Sequence, residues 1–168
     1  TKAGAVFDVE KLKWMNGHYL RTLNLNYISE KAEPFFEKAG IDISDKTKFR
    51  KVVDASRIRV SIISEMIEEA KKYYIIPKLS NEQKEIVQTA NSQKIFLYWI
   101  NELQKMDDVS AQEINDLTKN SMQDLQIKGK DFYIPIRLAL IGEEHGPDFP
   151  TIIGILGKEE TENRLTRL

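Results

Sequence analysis

The sequence has no cysteine, only two histidines and almost no net charge, with 25 Lys plus Arg against 26 Asp plus Glu. Each absence removes a class of function. Without cysteine there is no disulfide framework, no thiolate zinc site and no cysteine nucleophile, which fits a reducing compartment. A metal would have to rely on His18, His145 and carboxylates. No stretch approaches the roughly 18 uninterrupted apolar residues of a membrane span, so no membrane partner is expected. The near-neutral charge argues against an indiscriminate nucleic-acid binder, whose binding domain usually has a pI above about 9. What remains is 168 residues, 41% of them apolar. That suffices for one domain, or two small helical subdomains, to bury a core, and a disordered chain would be poorer in apolar residues. The N-terminal Thr1-Lys2-Ala3-Gly4-Ala5-Val6 has neither an initiator methionine nor the apolar core of a signal peptide, and reads like a cut edge.

Helical periodicity dominates. Val9, Leu12, Met15, Leu20 and Leu23 recur at helical spacing behind a cap at Asp8, with Gly17 predicting a bend or an end. Ile28, Ala32, Phe35, Phe36 and Ala39 form a second set, closed by Gly40 and expected to kink at Pro34. After a turn at Asp42-Ile43-Ser44, Phe49, Val52, Val53 and Ser56 mark a third helix, and Ile62, Ile63, Met66, Ile67 and Ala70 a fourth. The period is lost over residues 73–79, and Pro77 disfavours helix at Ile76, which sets a boundary between subdomains 1–76 and 77–168. The second half opens with a capping box, Ser80 with Gln83, followed by Ile86, Val87 and Ala90. Ile95, Phe96, Trp99, Ile100, Leu103 and Met106 make the best amphipathic stripe of the chain. A second box, Ser110 with Glu113, starts a helix bearing Ile114, Leu117, Met122 and Leu125. Residues 128–131 read as a turn, and Pro135 as the first turn of a short helix with Ile136, Leu138, Ala139 and Leu140. A breaker-rich loop from Gly142 leads to a helix opened by Pro150 and stopped by Gly157, and then to a charged terminal helix. The predicted fold class is all-α.

No catalytic constellation is evident: there is no Gly-rich phosphate loop, no Gly-x-Ser-x-Gly elbow and no His-Glu-x-x-His helix. Glu143, Glu144 and His145 are consecutive, and consecutive residues rarely converge on one ion, so a solvated loop is the better reading and no metal is expected. Charge distribution says more than its total. Lys46, Lys48, Arg50, Lys51, Arg57 and Arg59 stand against Asp54 alone, a local charge of +5 on a remainder at -6. From charge alone a solvated helix face is the stronger reading and a phosphate-binding surface the weaker one. Trp14, one residue off its stripe, is either core or an exposed platform for a base. Arg137 among apolar neighbours needs a carboxylate inside or a base or phosphate outside. Gly146, Pro147 and Phe149 either turn the chain or offer rigid backbone and an aromatic ring to an unstacked base.

Two segments carry a family resemblance. Residues 7–21, Phe-Asp-Val-Glu-Lys-Leu-Lys-Trp-Met-Asn-Gly-His-Tyr-Leu-Arg, resemble the passage from the catalytic part of bacterial-type glutamyl-tRNA synthetases into their helical C-terminal region. Residues 129–142, Gly-Lys-Asp-Phe-Tyr-Ile-Pro-Ile-Arg-Leu-Ala-Leu-Ile-Gly, followed by Leu156-Gly157-Lys158-Glu159-Glu160, resemble that family's C-terminal block. The resemblance implies a class I synthetase anticodon-binding region of two packed helical subdomains, contacting the anticodon arm of tRNA-Glu as a cytoplasmic monomer. It implies that Arg59, with Arg57 beside it, reads the third anticodon base in the form that rejects tRNA-Gln. Trp14, Arg137, Gly146, Pro147 and Phe149 match positions near the anticodon bases, and Lys46, Lys48, Arg50 and Lys51 would meet backbone phosphates. The family's His-Ile-Gly-His and Lys-Met-Ser-Lys-Ser motifs are missing from this chain. The resemblance therefore implies a segment with no catalytic residue or cofactor of its own and inactive alone, whose full-length parent uses ATP and Mg²⁺. The alternative function is a helical protein-interaction module whose basic face meets an acidic partner.

Overall fold

Side-chain caps set where many of the helices begin. Asp8 accepts from Lys11 N, Asn24 from Asn26 N, Asp45 from Lys48 N, Thr89 from Ser92 N and Asp148 from Thr151 N, all at 2.8–3.2 Å. Both predicted capping boxes form, Ser80 with Gln83 and Ser110 with Glu113. Each cap satisfies an amide that the helix itself leaves without a partner. A computed structural model describes residues 8–107 and 109–168. The cut-edge reading of the N-terminus and Phe7 of the first motif fall outside the described residues. Among these residues there are ten α-helices and no strand, as the all-α prediction requires. They are α1 (Val9–Thr22), α2 (Leu25–Lys38), α3 (Lys46–Arg57), α4 (Met66–Tyr74), α5 (Asn81–Val87), α6 (Ala90–Gln104), α7 (Ala111–Leu125), α8 (Lys130–Ile141), α9 (Phe149–Leu156) and α10 (Lys158–Thr166). A 3₁₀ turn over Ile63–Glu65 leads into α4.

The chain divides into two units, one ending at Tyr74 and the other running from Ile75 to Leu168. In the first, α2, α3 and α4 enclose Ile28, Ala32, Phe36, Phe49, Val52, Val53, Met66 and Ala70, all nearly free of solvent. Phe36 meets Phe49 edge to face at 5.0 Å. Burying one such large apolar side chain contributes about 1.5–3 kcal/mol. Helix α1 departs from expectation twice. It runs on through Gly17, whose absent Cβ would stand 3.0 Å from Arg21 Nη1 and 3.4 Å from Ser61 Oγ, so the glycine permits close approach rather than a break. Its apolar stripe is not core: only Leu20 is buried, while Val9, Leu12, Met15 and Leu23 are exposed. Phe35 of α2 is likewise exposed, and α2 passes Pro34 without ending.

In the second unit α6 is central, packed on α7, α8 and α10. Its stripe supplies Ile95, Phe96, Trp99 and Leu103, and Trp99 Nε1 donates to Ser121 Oγ at 3.0 Å, so the buried indole is satisfied. Met106 lies beyond the end of α6, contrary to the predicted stripe. Helix α8 also starts earlier than predicted, at Lys130 with Gly129 as its cap, and Pro135 is inside it rather than in its first turn. One helical hydrogen bond is lost, to the carbonyl of Asp131, an exposed residue that water can reach. Gly142 ends α8 at φ 72°, and an added Cβ would meet Pro77 Cβ at 2.5 Å, so both conformation and space exclude a side chain. Arg164 of α10 is buried and donates to Glu160 and to the Leu140 carbonyl at the end of α8. Pro77 O accepts from Arg167 Nη2 at 3.1 Å, which brings the two ends of this unit to one shallow cleft of about 220 Å³.

Candidate nucleic-acid interface

The basic segment folds as α3, and its helical period separates the cations that the sequence groups together. Lys46, Arg50 and Lys51 line a shallow groove of about 470 Å³ with Leu25, Thr47 and Asp54. Lys48 is turned elsewhere, its ammonium 5.0 Å from the centre of the Tyr74 ring, and does not share that surface. Lys46 pairs with Glu33 of α2, a carboxylate outside the window that gave the charge of +5.

Arg57 and Arg59 are equally distinct. Arg57 bonds Asp54 through Nε and Nη2, at 2.9 and 2.8 Å, while Nη1 donates to Leu23 O at 2.8 Å and more weakly to Leu20 O. It thus caps the C-terminal carbonyls of α1, with its side chain 16% exposed, and is not poised as a clamp on a base. Arg59 lies just past α3. Its Nε donates to Glu69 Oε2 at 2.9 Å, its side chain is 34% exposed, and among the described residues its terminal nitrogens have no hydrogen-bond partner. A carboxylate therefore anchors one edge and leaves the Nη1 and Nη2 donors uncommitted within the described residues.

Trp14 resolves in favour of exposure. It is 68% accessible on α1, stacked on His18 one turn later at 6.1 Å and 17°.

In the second unit, α8 carries Arg137 to the loop between α8 and α9. Its Nη2 lies 3.5 Å from Pro147 O, a long contact, and its guanidinium carbon lies 5.5 Å from the Tyr133 ring centre and 5.3 Å from that of Phe149. Burial lowers the Arg137 pKa, opposed by Tyr133 and Asp148; arginine nonetheless stays charged at neutral pH. Gly146 and Pro147 are half-buried, and a Cβ on Gly146 would stand 2.9 Å from Ile141 Cδ1. Phe149 overturns its expectation. It is 3% exposed, edge to face with Trp99 at 5.1 Å and stacked on Tyr133 at 5.5 Å, so its ring is core and not a platform for a base.

The structure thus gathers Arg137, Pro147 and Phe149 in one unit, and Lys46, Arg50 and Lys51 in the other. Three participants escaped the sequence reading: Glu33, Glu69 and Tyr133. Glu33 and Glu69 come from neighbouring helices, which no charge window along the chain can reveal. Tyr133 precedes Arg137 by four residues, a signal that became meaningful only once α8 was found to begin at Lys130.

The fold is similar to a helical part of solved glutamate tRNA ligases. A solved glutamate tRNA ligase of Elizabethkingia meningosepticum superposes with a TM-score of 0.85 over 99% of this chain and 33% of its own, at 23% identity. The family model described as the anticodon binding domain matches residues 27–168, and the chain belongs to that family. Similar curated proteins are glutamate-tRNA ligase 2 of Caldanaerobacter subterraneus subsp. tengcongensis, 30% identical over 99% of this chain, and the glutamate-tRNA ligase of Aquifex aeolicus, 32% identical over 98%. The chain spans only about a third of those relatives, 36% and 35% of their lengths.

Proposed function

We propose that this chain is the C-terminal anticodon-recognition part of a glutamate-tRNA ligase. It binds the anticodon arm of tRNA-Glu, and the whole enzyme, a cytoplasmic monomer, ligates glutamate to that RNA with ATP and Mg²⁺. The observation that carries this reading is the family match over residues 27–168, which includes both α3 and α8 with their outward cations. The chain itself is assigned no catalytic residue and no cofactor.

Arg59 is the reader of the third anticodon base. A fork of N–H donors suits the carbonyl and ring-nitrogen acceptors of cytosine and meets donors on guanine, which supports discrimination against tRNA-Gln. Lys46, Arg50 and Lys51 contact backbone phosphates, and Trp14, Arg137, Gly146 and Pro147 face the unstacked bases. Arg57 supports the site by holding the end of α1, and Phe149 by supporting Arg137. On another face, the exposed Leu12, Met15, Tyr19 and Leu23 of α1 favour a protein contact; in this reading the remainder of the ligase covers them.

Arg59→Gln tests the assignment. Titration at fixed salt is expected to show about tenfold lower preference for tRNA-Glu over the same RNA with guanine at the third anticodon base, with a smaller loss of total affinity. Equal losses for both RNAs would remove Arg59 from the reading role.

A further inference from the structure

A guanidinium can be held in place by a carboxylate, which also consumes its donors and charge, or by aromatic rings, which consume neither. Arg59 is held in the first way and Arg137 in the second. Among the described residues Arg137 forms no ion pair, its Nε is buried without a hydrogen-bond partner, and its one hydrogen bond is the long contact to Pro147 O. Its position is instead set by two rings. Tyr133, one helical turn earlier, lies 5.5 Å from the guanidinium carbon and stacks on Phe149 at 27°. Phe149 is anchored in turn by Trp99, which Ser121 pins through its indole nitrogen.

We propose that Tyr133 is a positioning residue which, with Phe149 beneath it, fixes the Arg137 guanidinium as a preorganised donor for the acceptor atoms of an unstacked base in the anticodon loop. The proposal rests on the anticodon-binding reading above. Packing locks the rotamer before RNA arrives, so less side-chain freedom is lost on binding. Tyr133 acts through its ring face, and the hydroxyl is dispensable.

The test uses the full chain and an anticodon stem-loop RNA of tRNA-Glu sequence. Tyr133→Leu is expected to weaken binding about three- to tenfold, the range for losing a cation–π contact. Tyr133→Phe should bind like the unaltered chain. In an Arg137→Ala background, Tyr133→Leu should have no further effect. A Tyr133→Leu loss that persists without Arg137, or that Tyr133→Phe shares, would overturn the proposal. A separate arm needs no RNA: the Arg137 Nε–Hε NMR signal should show restricted motion in the unaltered chain and in Tyr133→Phe, and free motion in Tyr133→Leu. Unchanged motion in Tyr133→Leu would also overturn it. If Arg137→Ala binds RNA like the unaltered chain, the RNA role of Arg137 falls, while the NMR arm still decides whether Tyr133 positions it.

Discussion

Arg57 and Arg59 are two positions apart, yet the turn after α3 sends one guanidinium onto the end of α1 and the other toward Glu69. At the residue scale, then, the sequence gives the cation and the fold gives its task. That Arg137 needs a partner was legible from its apolar neighbours; that Arg57, Lys48 and Phe149 are occupied by the protein itself was not, because their partners lie on other turns or elements. Tyr74 makes the same point and is testable. Its hydroxyl is buried without a partner, and burial, reinforced by Asp45 and Asp42, pushes its pKa up to about 12 from 10.0. A raised folded pKa means that the fold favours the neutral phenol. Its contribution to stability is complete below pH 10 and is lost as pH rises toward 12. Urea unfolding across that window should show a steeper loss for the unaltered chain than for Tyr74→Phe; parallel curves would refute the burial argument.

Helix starts were the most readable elements, because a cap is a local chemical event. Ser80 accepts from Gln83 N while Gln83 Oε1 accepts from Ser80 N, as the spacing predicted. Ser80→Ala should therefore cost about 1 kcal/mol in denaturant unfolding, and a loss within error of zero would deny the cap its energetic role. Interruptions were read less well. Gly17, expected at a bend or an end, and Pro135, expected in a first turn, both lie inside helices that continue past them, whereas Pro34 lies inside its helix as expected. A glycine costs a helix about 1 kcal/mol and a proline about 3, amounts that burial of a few large side chains outweighs. In α8 that counterweight is Phe132, Ile136, Leu138, Ala139 and Leu140, all fully buried. The stripe of α1 was a correct sign of an amphipathic helix, but periodicity does not say what an apolar face meets, and most of this one meets solvent.

For the molecule as a whole, the +5 segment is a narrower electrostatic feature than its count suggests. Glu33 and Glu69 enter it from α2 and α4, Asp54 holds Arg57, and Lys48 is spent on Tyr74. Lys46, Arg50 and Lys51 line one shallow groove, and Arg59, which is not among the groove's residues, is partly exposed. Under the proposed function such a surface would orient one RNA contact without general attraction to polyanions, in keeping with an overall charge of -1.

The cleft where Pro77 meets Arg167 has a topological consequence. The two chain ends of the second unit lie close together, so the order in which its helices are strung is separable from the way they pack. Joining Leu168 to Ile75 through a short Gly-Ser linker, and opening the unit between α6 and α7, should give a circular permutant that keeps its helical circular dichroism and a cooperative thermal transition. A broad, non-cooperative melt would show instead that the strand of chain entering at Pro77 has to be laid down first.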